Sequence, residues 1–306
     1  MKSVYLVAII ITIIIGSFFN WILCCEQTET ITIEEEYIES VKEDYEEVVE
    51  DKKNAPVVNP LIIVDSTGSF SYKSNDNFNF HESDFIIIRP LGPGVDKGVM
   101  QVKEYLSSNK NVQITGFYEA REENTSAFPN LGYARANAVK NHLVAKGISA
   151  KQINTYGKEM DPLSEYRDVL VGPVSLVITE DAGFKNAEEV VGRIKEQPIV
   201  LYFETGKSTI NLTEEQRERY LDIVRALDKV DDISVVIYGH TDNTGNAENN
   251  MILGKDRAEF IKAYLVRNGI SAENIETVSK GQNEPVANNN TAEGRAENRR
   301  TVITIK

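Results

Sequence analysis

The residues best suited to chemistry in this chain are a carboxylate and a guanidinium fifteen positions apart, Asp242 and Arg257. An acid can take an ammonium, and an arginine can grip a carboxylate through two parallel N–H donors. The pair therefore suits a zwitterionic ligand. The same two charges can also close on each other as an internal salt bridge that only braces the fold. The choice between these readings depends on the elements that carry them.

A β-rich run, residues 233–238, ends at Gly239 and delivers Asp242 to the exit of a strand. An amphipathic segment follows at 247–268, closed by Gly269, with Leu253, Phe260, Ile261, Tyr264 and Leu265 at helical spacing as its expected buried stripe. Arg257 lies four residues from both Leu253 and Ile261, inside that stripe. A guanidinium is costly there unless something anionic meets it. Upstream, residues 199–204 read as a strand. Thr213 and Gln216 form a capping-box signature for a helix reaching about Val230, with Tyr220, Ile223, Val224 and Leu227 on one face. The order strand, helix, strand, helix, strand, strand predicts a two-layer αβ sandwich with a mixed sheet. The link at 282–298 is expected to lie over the site rather than in the sheet.

The pattern Gly239-His240-Thr241-Asp242, Asn250, Leu253, Arg257-Ala258 and Gly294-Arg295-Ala296-Glu297-Asn298-Arg299-Arg300 resembles the OmpA-like family. These are the peptidoglycan-binding domains of outer-membrane proteins, Pal lipoproteins and MotB-type stator proteins. The resemblance covers roughly 198–306. It implies that Asp242 and Arg257 hold the amino and carboxylate groups of diaminopimelate in the peptide stem of peptidoglycan. It also implies supporting roles for Thr244, Asn250 and Arg299. Gly254 departs from the serine of many members, a change expected to touch the helix more than the site.

Residues 57–182 read as a worn copy of the last domain. Residues 112–119 mirror 235–242 in a strand that ends Gly-x-x-acid; 130–136 mirror 252–258, and 146–153 parallel 268–275. Glu119 replaces the aspartate, Arg135 matches Arg257, Phe128 stands near the place of Asn250, and Val171-Gly172-Pro173-Val174 occupies the region of the closing arginine motif. A site without its third wall should bind poorly, so this copy is expected to be a spacer or protein-interaction module. Residues 61–64 and 69–72 read as additional short strands, and 186–197 as a helix-like linker.

The remaining features place the chain. Residues 4–25 are apolar apart from Thr12, Gly16, Ser17 and Asn20, long enough for a bilayer-spanning helix. Without a small-x-small exit site they read as a retained anchor rather than a cleaved signal. Lys2 gives a weak vote for the amino terminus in the cytoplasm. No carboxylate lies within 4–25, which argues against an ion-conducting stator. Cys24 and Cys25 fit either lipid attachment or a plain membrane boundary. The bulky Trp21-Ile22-Leu23 before them favours the second. Residues 26–53 carry about a dozen acids against three lysines and read as an acidic helical stalk.

With 306 residues and a formal net charge of -14, the chain has room for two domains and offers nothing to nucleic acid. Arg257, Arg295, Arg299 and Arg300 could supply a locally positive spot. His81, His142 and His240 are scattered and lack a nucleophile motif, so no enzyme is expected, and no cofactor or metal. Residues 242–246 hint at a calcium loop but lack its glycine and closing glutamate at the required spacing.

The expected architecture is α/β (α+β). It has an anchor at 1–25, a stalk at 26–56 and two tandem βαβαββ sandwiches with mixed sheets at 57–182 and 198–306, joined by a linker at 183–197. The expected function is a membrane-anchored, non-catalytic envelope protein, its bulk in the periplasm, that ties membrane to cell wall. The alternative is a scaffold subunit of an envelope complex with protein partners, wall binding being secondary.

Overall fold

The computed structural model describes residues 59–180, 183–184, 186–202 and 210–306. The expected anchor and acidic stalk lie outside the described residues. Among the described residues no helix is long and apolar enough to cross a membrane.

The second half is a four-stranded mixed sheet in the order β11 (Ile275–Gly281), β10 (Val235–His240), β12 (Arg300–Ile305), β9 (Ile199–Tyr202). β10 runs parallel to β11 and antiparallel to β12. As an inner strand it buries Val235, Val236 and Ile237 in succession instead of alternating. Helices α4 (Glu214–Lys229) and α5 (Ala247–Arg267) lie between the strands in sequence. α4 starts in the predicted capping box: Gln216 N–H donates to Thr213 Oγ1 at 3.2 Å, and Thr213 N–H donates to Gln216 Oε1 at 2.9 Å.

One sequence expectation fails on α5. Leu253 and Phe260 are 43% and 37% exposed, so they are not part of the buried stripe. The buried face is Asn250, Gly254, Ala258, Ile261 and Leu265. Glycine and alanine carry little apolar signal, yet they let the helix approach the sheet, and the face turns toward them.

The first half repeats the central motif. β4 (Asn111–Tyr118) lies between parallel β5 (Ile153–Glu159) and antiparallel β8 (Val174–Thr179). Helices α1 (Pro93–Tyr105) and α2 (Leu131–Ala145) accompany them. The sheet is extended by β1 (Leu61–Asp65), parallel to β8, and by β2 (Ser71–Ser74). A separate three-stranded sheet forms from β3 (Asn79–His81), β7 (Val169–Val171) and β6 (Glu165–Tyr166). Its strands β6 and β7 occupy the stretch where the other copy carries its closing arginine motif. Helix α3 (Ala187–Glu196) joins the halves.

Residues Val57–Lys306 form one compact unit. One apolar core lies within the first half, around Ile63, Phe80, Val99 and Ile114. The other unites the second half with Phe85, Ala127, Phe128, Leu131 and Ala134 of the first. Helix α2 is therefore covered widely enough to bury Asn137, Lys140 and His142 together with its apolar residues. His142 meets Asp96 within the first half at 3.0 Å, while other polar groups are paired across the seam. Lys140 Nζ lies 2.7 Å from Asp228, Ala127 N–H donates to Asn268 Oδ1 at 2.6 Å, and Tyr220 OH donates to the Asn268 carbonyl at 3.0 Å. Phe128 packs edge-on against Tyr220.

Candidate functional site

The site begins where two backbones touch. A Cβ at Gly239 would lie 1.8 Å from the Gly254 carbonyl oxygen, and one at Gly254 would lie 2.7 Å from the Gly239 carbonyl oxygen. Only two facing glycines let strand β10 and helix α5 come this close. Glycine at 254 thus fits the helix–strand contact. One residue past Gly239 and three past Gly254, the contact sets the His240 carbonyl beneath Arg257, whose Nη1 donates to it at 2.7 Å. The register with β11 shifts between Gly239 and His240. Such a bulge bends the strand as it leaves the sheet.

Asp242 follows the bend, its side chain 13% exposed. Oδ1 accepts the Thr244 N–H at 2.9 Å, and Oδ2 accepts Arg299 Nη1 at 2.8 Å. Burial pushes this carboxyl up. The Arg299 guanidinium and the Thr244 N–H and hydroxyl outweigh burial and hold it below the usual carboxylate range. Arg257 is half-buried; desolvation first, then the charge of Arg299, lowers its guanidinium, while Asp242 acts the other way. Asp242, Arg257 and Arg299 thus share one electrostatic neighbourhood, two cations about one anion.

Thr244 is exposed on the loop and fixes the Asp242 carboxylate through its backbone. Asn250 is buried under the same loop. Its Nδ2 donates to the carbonyls of Asp242 at 3.3 Å and Thr244 at 3.2 Å, and to Gln282 Oε1 at 2.7 Å. That is a positioning arrangement. Of the four arginines expected to form a positive spot, Arg257 and Arg299 face Asp242. Arg295 donates to the Asn289 carbonyl at 2.9 Å, and the buried Arg300 donates to the Glu284 carbonyl at 3.1 Å. The positive spot is smaller than the sequence implied, because two of the guanidiniums tie down the link.

Three residues were given no role of their own in the sequence reading. Gln282 receives Asn250. Asn298, fully buried, accepts the N–H groups of Val286 and Ala287 at 2.8 and 3.1 Å and donates to Asn289 Oδ1 at 2.9 Å. Asn289 also accepts the Asn243 N–H at 3.3 Å, joining the two loops around Asp242. The run Asn288-Asn289-Asn290 was the available signal, since asparagine favours such local bonding. The link at 282–298 holds one short helix, α6 (Ala292–Asn298), and stays out of the sheet.

His240 is 3% exposed, and among the described residues its Nδ1 meets no hydrogen-bond partner. Burial first, then the charges of Arg300 and Lys280, lowers its pKa to about 4, with Glu284 opposing.

The OmpA family model matches residues 95–168 and 202–299, more than half of the chain. The chain belongs to the OmpA family. Both carboxylate–arginine pairs of this OmpA-family protein, Asp242 with Arg257 and Glu119 with Arg135, lie inside the matched segments, so the first half is a second, diverged copy. The chain is 40% identical over 104 residues to outer membrane protein A of Bordetella avium, covering 34% of this chain and 53% of that one. It is 40% identical over 100 residues to peptidoglycan-binding protein ArfA of Mycobacterium tuberculosis, covering 33% and 30%. It is 34% identical over 132 residues to a peptidoglycan-associated lipoprotein of Pseudomonas putida, covering 41% and 78%. The match thus spans about half of the first of these relatives and under a third of the second. Among solved structures, the peptidoglycan-associated lipoprotein of Burkholderia pseudomallei is similar at 26% identity and a TM-score of 0.31, covering 35% of this chain and 89% of that one.

Proposed function

We propose that the second copy holds the peptide stem of peptidoglycan by its diaminopimelate residue, and that the chain is a non-catalytic tether between a membrane and the wall in the periplasm. Asp242 takes the ligand's ammonium and Arg257 its carboxylate. Arg299 keeps Asp242 ionised, while Thr244 and Asn250 hold the loop in shape. One observation carries this reading: at the exit of the central strand Asp242 Oδ2 accepts Arg299 Nη1 at 2.8 Å, with the charge of Arg257 acting on the same carboxylate. The names of the relatives, a peptidoglycan-binding protein and a peptidoglycan-associated lipoprotein, support it. Anchoring by residues 4–25 rests on their hydropathy alone.

The test is co-sedimentation of the protein with purified sacculi. Wild type should pellet, and Asp242→Ala and Arg257→Ala should stay in the supernatant. Equal pelleting of all three, or none, would sink the proposal.

A further inference from the structure

In the first copy, Arg135 stands where Arg257 stands in the second. Its Nη1 donates to the Phe117 carbonyl at 2.8 Å, as Arg257 Nη1 does to the His240 carbonyl at 2.7 Å. The facing glycines recur too: a Cβ at Gly116 would lie 2.0 Å from the Gly132 carbonyl oxygen. The two arginines are therefore delivered by the same device.

The groups that meet the guanidinium differ. Arg135 is fully buried, and so is the carboxylate in front of it, Glu122. Arg135 Nη1 lies 2.9 Å from Glu122 Oε2, and Nη2 bonds Oε1, so the grip is two-pronged. Two backbone donors complete it. Ser83 N–H donates to Oε1 at 2.9 Å and Glu119 N–H to Oε2 at 2.9 Å. Four N–H groups thus converge on one desolvated carboxylate, which is how a carboxylate receptor is built. Beside it, Arg121 Nε lies 2.5 Å from Glu119 Oε2, the part Arg299 plays at Asp242. Counted from the strand, the position matching Glu122 in the second copy is Gly245, where φ is +92° and a Cβ would meet nothing within 4 Å.

We infer that Glu122 is an internal ligand: its carboxylate fills the seat on Arg135 from within, so the first copy is a self-occupied site and the chain offers one seat to the wall peptide rather than two. The inference about the second copy rests on the function proposed above. The seat in the first copy stands on its own geometry. It also accounts for a buried ion pair in a copy that lacks the closing arginine motif. The pair is retained because the guanidinium delivered by the repeat needs an anion, and Glu122 supplies it.

Truncating Glu122 to alanine removes Cγ and the carboxylate, which together amount to an acetate ion. The full chain in detergent carrying Glu122→Ala should melt roughly 10 °C below wild type in chloride. Sodium acetate at equal ionic strength and pH 7 should restore most of that loss, saturably. It should do nothing beyond chloride for wild type or for Glu122→Ala combined with Arg135→Met. If Glu122→Ala does not fold in chloride, the same comparison is read as the yield of soluble protein refolded in acetate against chloride. No gain from acetate over chloride, or an equal gain in all three proteins, overturns the inference. In a second arm, a diaminopimelate-containing tripeptide is titrated into wild type by calorimetry. One site per chain, lost in Arg257→Ala, is expected. Two sites would overturn the self-occupied reading and leave wall binding intact. No binding would remove the proposed function, with the acetate arm still deciding the role of Glu122.

Discussion

His240 offers the sharpest test of how the site is built. The imidazole is 3% exposed, and the charges acting on it are Arg300, Glu284 and Lys280. Its folded pKa of about 4 lies below the ordinary value of 6.5. Above pH 6.5 the ring is neutral in both states and the fold keeps its full stability. As pH falls below 6.5, the unfolded chain takes a proton that the folded ring refuses, and stability drops. Below pH 4 both states are protonated and the loss stops growing. The gap between the two values corresponds to about 3 kcal/mol across that window. Replacing the ring by a side chain that does not titrate, His240→Gln, removes this term while leaving every carboxylate in place. Urea unfolding of both proteins at pH 7, 6, 5 and 4.2, followed by circular dichroism, isolates it as a difference. The wild-type advantage over His240→Gln should shrink by about 3 kcal/mol from pH 7 to pH 4.2. A difference that stays constant across the series would refute the buried, neutral histidine.

Two further outcomes follow from the geometry. Gly239→Ala places a methyl 1.8 Å from the Gly254 carbonyl oxygen, and the helix must move. We expect a loss of at least about 2 kcal/mol in urea unfolding and a sharp fall in sacculus binding, because Arg257 rides on that helix. Asp242 is held below its ordinary value of 3.8 with Arg299 in place, so the stability it contributes is complete above that value and is lost as pH falls through the lower, folded one. In Arg299→Ala, burial acts with less opposition and the midpoint should move up, read by carboxyl NMR of Asp242; an unchanged midpoint would show that Arg299 is not what holds it down.

Much of the fold was legible because it is written in local signals. The capping box at Thr213 and Gln216, the closing Gly269 and the β-rich run before Gly239 each mark a boundary through short-range chemistry. The repeat was legible for the same reason. The face of α5 was not. Its buried residues include Asn250, Gly254 and Ala258, whose value to the core lies in small size or hydrogen bonding rather than apolarity. α2 was harder still, since a helix covered by both copies loses the contrast between a dry and a wet face.

Sequence alone determined which charges exist and where the chain repeats: an acid after a glycine-ended strand, an arginine at the next helix, twice over. Tertiary structure decided their partners. Asp242 meets Arg299 across fifty-seven residues only because β12 lies beside β10, and Arg135 meets Glu122 rather than a ligand only because the loop after β4 folds back over it. Once taken out of water, a carboxylate and a guanidinium repay their desolvation only at hydrogen-bond range. That range is set by sheet order and loop path, which residue spacing does not fix.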